Sequence, residues 1–174
     1  LPLGEIFSGI VMGLGIPVIA PYVNIAPGRL LALDFGWPTV VLRGDFIAIV
    51  ALGLACITPM ATIANIMLAN NMSDIEEDQR NHRHTLPMYL GQWWSPRVYA
   101  LLAYAGFLAV ILGVIFGALP MWTLVVELAW PLVIRNVHRF IRDPSKQRTF
   151  HTAVINLVLE NGLLVVGLGM GVVL

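Results

Sequence analysis

Three stretches of this chain carry no charged residue: Ile6 to Gly28, Phe46 to Ser73 and Val98 to Val126. Each is long enough to hold the ~20 apolar residues with which a helix crosses a bilayer. Backbone polar groups find no water in hydrocarbon, so runs of this length can span only as helices that satisfy their own N–H and C=O groups. The chain therefore reads as all-α, a multi-pass transmembrane helix bundle. Its composition agrees: 58% of residues are hydrophobic and 11% charged, where soluble domains carry about a quarter charged.

Five spans are expected, at about Ile6 to Tyr22, Phe46 to Ala69, Val98 to Phe116, Met121 to Ile134, and Thr152 to Val173. Gly117 to Pro120 leaves room only for a tight turn. Ala26 to Asp45 contains Pro27, Gly28, Gly36, Pro38 and Gly44, which break regular structure, so it reads as an extramembrane loop. Arg80, Arg83, Arg97, Arg135, Arg139, Arg142, Lys146 and Arg148 fall on one side of the membrane, and Arg29 and Arg43 on the other. Basic residues favour the cytoplasm, which puts the residues after the second span on the cytoplasmic face of a cell membrane. Trp93, Trp94 and Trp122 fit interfacial anchors. Three GxxxG spacings, Gly9/Gly13, Gly113/Gly117 and Gly167/Gly171, read as helix-packing sites. The single cysteine, Cys56, excludes an internal disulfide and reads as a packing residue. Net charge is zero, and nothing points to a nucleic acid.

The second charge-free run leads into "ANNMSDIEEDQRNHRHTLPMYLG", which holds four of the ten acidic residues. If that helix continues beyond the bilayer, Asn70, Asp74 and Asp78 recur every four residues and share a face, with Asn71 bordering it. Two carboxylates one turn apart, preceded by amides, suit a hard cation. Mg²⁺ takes one or two carboxylates and completes its shell with water and phosphate. Arg80 and Arg83 would then meet phosphate oxygens. The plainer reading is a solvated helix end with mixed surface charge. The amides of Asn70 and Asn71 at the membrane mouth, and the Thr85-Leu86 pair after the charges, favour the site.

The run "NNMSDIEEDQRNHRHTL" resembles the second aspartate-rich motif of the UbiA superfamily of intramembrane prenyltransferases. It is most similar to the MenA branch, the 1,4-dihydroxy-2-naphthoate polyprenyltransferases of menaquinone synthesis. Asn70, Asn71, Asp74, Asp78, Thr85 and Leu86 match that pattern, and Arg83 stands at a position usually held by lysine. His82 replaces a glycine and His84 an arginine. "PLGEIFSGIVMG" resembles the entry to the fifth of the family's nine helices, so residues 1–174 would be the C-terminal part of one UbiA-type domain. Leu1 is no start methionine, and the helices carrying the first aspartate motif are expected upstream. Without them the chain is expected not to turn over.

The resemblance implies an enzyme that uses Mg²⁺ and moves a polyprenyl group from its diphosphate to an aromatic acceptor, here dihydroxynaphthoate, beside membrane lipid. Asp74 and Asp78 would be the metal carboxylates. Asn70 and Asn71 would orient metal-bound water or diphosphate, and Arg83 and then Arg80 would contact the diphosphate. Glu77 either contributes or pairs with Arg80. Hydroxybenzoate, homogentisate or heme as acceptor keeps the superfamily. A cation-coupled transporter is the competing class, although transporter sites favour broken helices at the midplane. Glu127 in the fourth span either lines a chamber or bonds a neighbouring helix. Asn156, Glu160 and Asn161 in the fifth either line the cavity or bind helices together, and packing is the favoured reading. The four histidines lack metal-ligand spacing, and "RNVHRFIRDPSKQR" reads as a positive-inside anchor that adds attraction for anionic donor or lipid.

Overall fold

A computed structural model describes residues 3–24 and 31–173. It contains a helical N-terminal segment α1 (Gly4–Asn24), a hairpin of β1 (Leu31–Gly36) and β2 (Thr39–Gly44), then α2 (Phe46–Ser73) and a short α3 (Ile75–Arg80). After these come α4 (Leu86–Ile115), a 3₁₀ helix (Met121–Ala129), α5 (Trp130–Arg142) and α6 (His151–Val173). Among the described residues, α1, α2, α4 and α6 are each long and apolar enough to cross a membrane.

The fourth expected span is helical but divided into the 3₁₀ helix and α5, with Pro131 in the first turn of α5. Lacking an N–H, Pro131 cannot serve the Glu127 carbonyl from four residues on. Trp130 N–H bonds that carbonyl from three residues on, and the segment winds as 3₁₀ until α5 begins.

The loop expected between the first two spans is in part regular. β1 and β2 pair antiparallel from Leu31 opposite Gly44 to Gly36 opposite Thr39, leaving Trp37 and Pro38 as the turn. The glycines and proline that argued for a loop sit at this hairpin's ends and turn, where they interrupt no ladder. Pro27, Gly28 and Arg29 lie outside the described residues. Asp45 then caps α2, its Oδ1 accepting from Ala48 N–H at 3.1 Å.

Hydrocarbon offers no hydrophobic drive between helices, so close backbone approach carries the packing. A Cβ on Gly13 would stand 2.3 Å from Met60 Cα, which sets α1 directly against α2. On α6, a Cβ on Gly167 would lie 2.6 Å from Thr123 Cα and one on Gly171 2.4 Å from Pro120 Cβ. Those two GxxxG pairs are therefore contact faces. The third differs: Gly113 packs on the Leu119 side chain, while Gly117 turns the chain at φ 67°. The core joins Leu68 of α2, Phe107 of α4, Val126 of the 3₁₀ helix, Phe140 of α5 and Leu164 of α6.

Asparagines add ties between helices. Asn136 Nδ2 donates to Asn156 Oδ1 at 2.7 Å, joining α5 to α6, and Asn161 Nδ2 donates to Thr62 Oγ1 at 2.9 Å, joining α6 to α2. The expected packing role of Asn156 and Asn161 is thus visible. Glu160 is wholly buried beside them.

Candidate functional site at the end of α2

The motif helix does not run through as one rod. Ser73 Oγ bonds back to the Ala69 carbonyl at 2.9 Å, a contact that competes with the helix ladder. The chain bends at Asp74 (φ −110°, ψ 13°) and restarts as α3. The four-residue ladder nevertheless survives the bend, because Asp74 N–H bonds Asn70 O at 3.1 Å and Asp78 N–H bonds Asp74 O at 2.8 Å. Three acids, Glu76, Glu77 and Asp78, fall in the first turn of α3, where the helix dipole favours negative charge.

Asp74 occupies the N-cap of α3 without capping it, since its carboxylate is engaged elsewhere. Lys146, from the segment joining α5 to α6, donates to Asp74 Oδ2. The Asp74 side chain is 15% exposed, against 53% for Lys146, so the lysine covers the carboxylate from the open side.

Asp78 is buried, and Arg83 Nη1 stands 3.5 Å from its Oδ1. The turn between them closes on the backbone as well, with Arg83 N–H bonding Asp78 O at 2.9 Å. His82 makes this turn at φ 54°, the left-handed conformation that a glycine adopts freely. His82 thus sits in a backbone conformation where a side chain is strained and a glycine would not be.

The predicted site residues do not all converge. Asp74, Glu77, Arg80 and Gln92 line one cavity of about 610 Å³, which Asp78 does not line. Arg80 pairs with Glu76 at 3.7 Å, both side chains largely exposed, instead of with Glu77 or either aspartate. Asn71 is buried and gives its amide to Glu5 Oε1 at 2.6 Å, while Asn70 is half-buried with no side-chain bond among the described residues. Two participants escaped the sequence reading. Glu5, 3% exposed, carries no expectation from the sequence, and Lys146 reads there as one more positive-inside residue.

The donor chemistry here is oxygen from carboxylates and amides, which suits a hard divalent cation. Among the described residues, no three His, Cys, Asp or Glu side chains stand close enough to hold a metal. Asp74 and Asp78 each face one cationic side chain, and Asp78 lies outside the cavity that Asp74 lines.

Past the turn, α4 begins at Leu86, a dozen residues before the expected span, and kinks at Gly91 (φ 70°). Ser95 Oγ donates to the Gly91 carbonyl at 2.8 Å across the kink. Trp93 and Trp94 follow, both exposed, with the Arg97 guanidinium 3.9 Å from the Trp93 ring centroid.

A family model described as the UbiA prenyltransferase family matches residues 1–159. A 1,4-dihydroxy-2-naphthoate octaprenyltransferase of Bacillus subtilis (strain 168) is 28% identical over 142 residues, 82% of this chain and 39% of its own length. The enzyme of that name from Escherichia coli (strain K12) is 28% identical over 158 residues, 85% of this chain and 50% of its own. The chain thus spans half or less of the length of these curated relatives. No solved structure matches it. The match over most of the chain agrees with the helical bundle and the NNxxDxxxD run at the end of α2, and on this ground the chain belongs to the UbiA prenyltransferase family.

Proposed function

We propose that this chain supplies the second carboxylate motif of an Mg²⁺-dependent membrane enzyme. The enzyme transfers a polyprenyl group from its diphosphate to 1,4-dihydroxy-2-naphthoate. The observation that carries the reading is the end of α2, where Asp74 and Asp78 each face a cationic side chain just beyond an apolar helix. The relatives' names support the acceptor, and the charge count of the loops supports a cytoplasmic position for the site. Asp74 and Asp78 would hold the metal, with further oxygen ligands from outside residues 1–174. When bound, Mg²⁺ would neutralise charge on the departing diphosphate.

Lys146 and Arg83 are the cations placed to take over phosphate oxygens. Both lie against the carboxylates that would hold the metal, and each would donate to a diphosphate bound beside them. Arg80 lines the same cavity as Asp74 and is a weaker candidate, since it is exposed and bonded to Glu76. Asn71 is held by Glu5, which makes it an orienting residue for the end of α2; Asn70 keeps its side chain available for water or diphosphate. In the reaction the allylic carbon–oxygen bond breaks and its electron pair leaves with diphosphate. The naphthoate ring carbon then forms the new carbon–carbon bond and gives up its carboxyl group as CO₂. A dry bundle would protect the allylic cation from water.

The test uses protein expressed from its whole reading frame, supplied with a prenyl diphosphate and dihydroxynaphthoate, with hydroxybenzoate and homogentisate as competing acceptors. Prenylated naphthol formed only with Mg²⁺, and lost in Asp74→Ala and Asp78→Ala, is the expected result. Unchanged turnover in both variants would overturn the site, and preference for another ring would overturn the acceptor.

A further inference from the structure

Away from the carboxylate motif, the densest unmatched charge lies on α5. Arg135, Arg139 and Arg142 are spaced four and three residues apart, with His138 between them, and so form one strip along the helix. All four are exposed, whereas Val133, Val137 and Phe140 on the other side of α5 are buried. Among the described residues, none of these three arginines makes an ion pair. The strip lines a cavity of about 720 Å³ whose one acid, Asp143, already bonds Arg148 at 2.8 Å.

The same cavity is apolar at its other end, where Pro131 and Ile134 line it. Pro131 also lines a second groove of about 590 Å³, formed mainly with Leu101, Tyr104, Phe107, Leu108 and Trp130 and bordered by Glu127. A largely apolar groove between α4 and α5 therefore meets, at Pro131, a cationic cavity on α5. A positive-inside bias and cations opposing the helix C-terminal dipole account for Arg139 and Arg142 in the last turn. They do not account for Arg135 a turn earlier, nor for the apolar groove that meets the strip.

We propose that this joined surface binds one anionic phospholipid, with an acyl chain in the groove and the headgroup phosphate among Arg135, Arg139 and Arg142. A ligand that fills both halves has to be an anionic amphiphile, and the surrounding leaflet supplies one. A prenyl diphosphate fits less well, because the cavity lacks the free carboxylates that a metal-bound diphosphate needs. The inference stands apart from the prenyl-transfer reading.

The experiment takes the protein from its whole reading frame, stripped of lipid in detergent, and adds phosphatidylglycerol or phosphatidylcholine. Retained lipid is counted by native mass spectrometry. Phosphatidylglycerol should be retained preferentially, and the triple variant Arg135→Gln, Arg139→Gln, Arg142→Gln should cut that preference about tenfold or more. Arg43→Gln, which removes a charge from the hairpin, should leave it intact. The matching triple lysine variant should keep most of it, which separates lost charge from lost fold; should the glutamine triple fail to melt cooperatively, Arg135→Gln alone is read the same way. Equal retention by the glutamine variant overturns the proposal. Displacement of phosphatidylglycerol by farnesyl diphosphate, abolished in the glutamine variant, would overturn it too and give the cavity to the donor.

Discussion

Asn71 Nδ2 donates to Glu5 Oε1 at 2.6 Å, and both residues are buried. This bond ties the start of α1 to the end of α2, three residues before Asp74, so the first helix holds the motif in place. Glu5→Ala would leave the Asn71 amide buried without an acceptor, at a cost of ~1–3 kcal/mol. The melting temperature in detergent should fall accordingly. Glu5→Gln keeps an acceptor oxygen and should lose less. Equal melting of Glu5→Ala and the parent protein would remove Glu5 from the support of the site.

Lys146 is the one lysine in the chain, and it sits on Asp74. If it turns to the diphosphate during turnover, Lys146→Ala should raise the KM for prenyl diphosphate about tenfold, the loss expected of one charge-assisted hydrogen bond. KM for the acceptor should stay put. Lys146→Arg should recover part of the loss, and a fall in kcat alone, without a KM change, would speak for a lysine that only shields Asp74.

His82 holds φ at 54° to close the turn that brings Arg83 to Asp78. A left-handed conformation costs a residue with a Cβ roughly 1–2 kcal/mol, and glycine escapes that cost while losing more chain entropy on folding. His82→Gly should therefore be neutral to about 1 kcal/mol more stable, and His82→Val clearly less stable. Thermal unfolding of the two variants side by side checks the order.

The helical bundle was legible because hydrocarbon leaves so few options: three runs without charge dictate spanning helices whatever their partners. The acidic motif was legible because its spacing is local. What the sequence hid depends on contacts distant in the chain. Lys146 reaches Asp74 across 72 residues, and Glu5 reaches Asn71 across 66. Nothing in a charge run or a helix period reports such pairs. The divided fourth span was hidden for a different reason. Its apolar residues allow either a 3₁₀ or an α-helix over so short a stretch, and the missing N–H of Pro131 bears only on the join to α5. The bend at Asp74 escaped likewise, since it arises from Ser73 bonding back to Ala69.

Gly13 and Gly53 offer a matched test of whether close backbone approach holds α1 on α2. Both are helical and within spans, and both would gain intrinsic helix preference, up to ~1 kcal/mol, on changing to alanine. Their surroundings differ. A Cβ on Gly13 would lie 2.3 Å from Met60 Cα and 2.5 Å from Met60 N, backbone atoms that cannot swing aside, whereas a Cβ on Gly53 would meet nothing within 4 Å. Gly53→Ala should thus be neutral or slightly stabilising. Gly13→Ala must push α1 away from α2, at a cost of about 1–3 kcal/mol typical of overpacking. Because α1 carries Glu5, the shift should also weaken the bond to Asn71 and lower turnover. That loss of activity should appear in Gly13→Ala and not in Gly53→Ala, and similar melting and turnover in the two would show that α1 rests on α2 too loosely to position the motif.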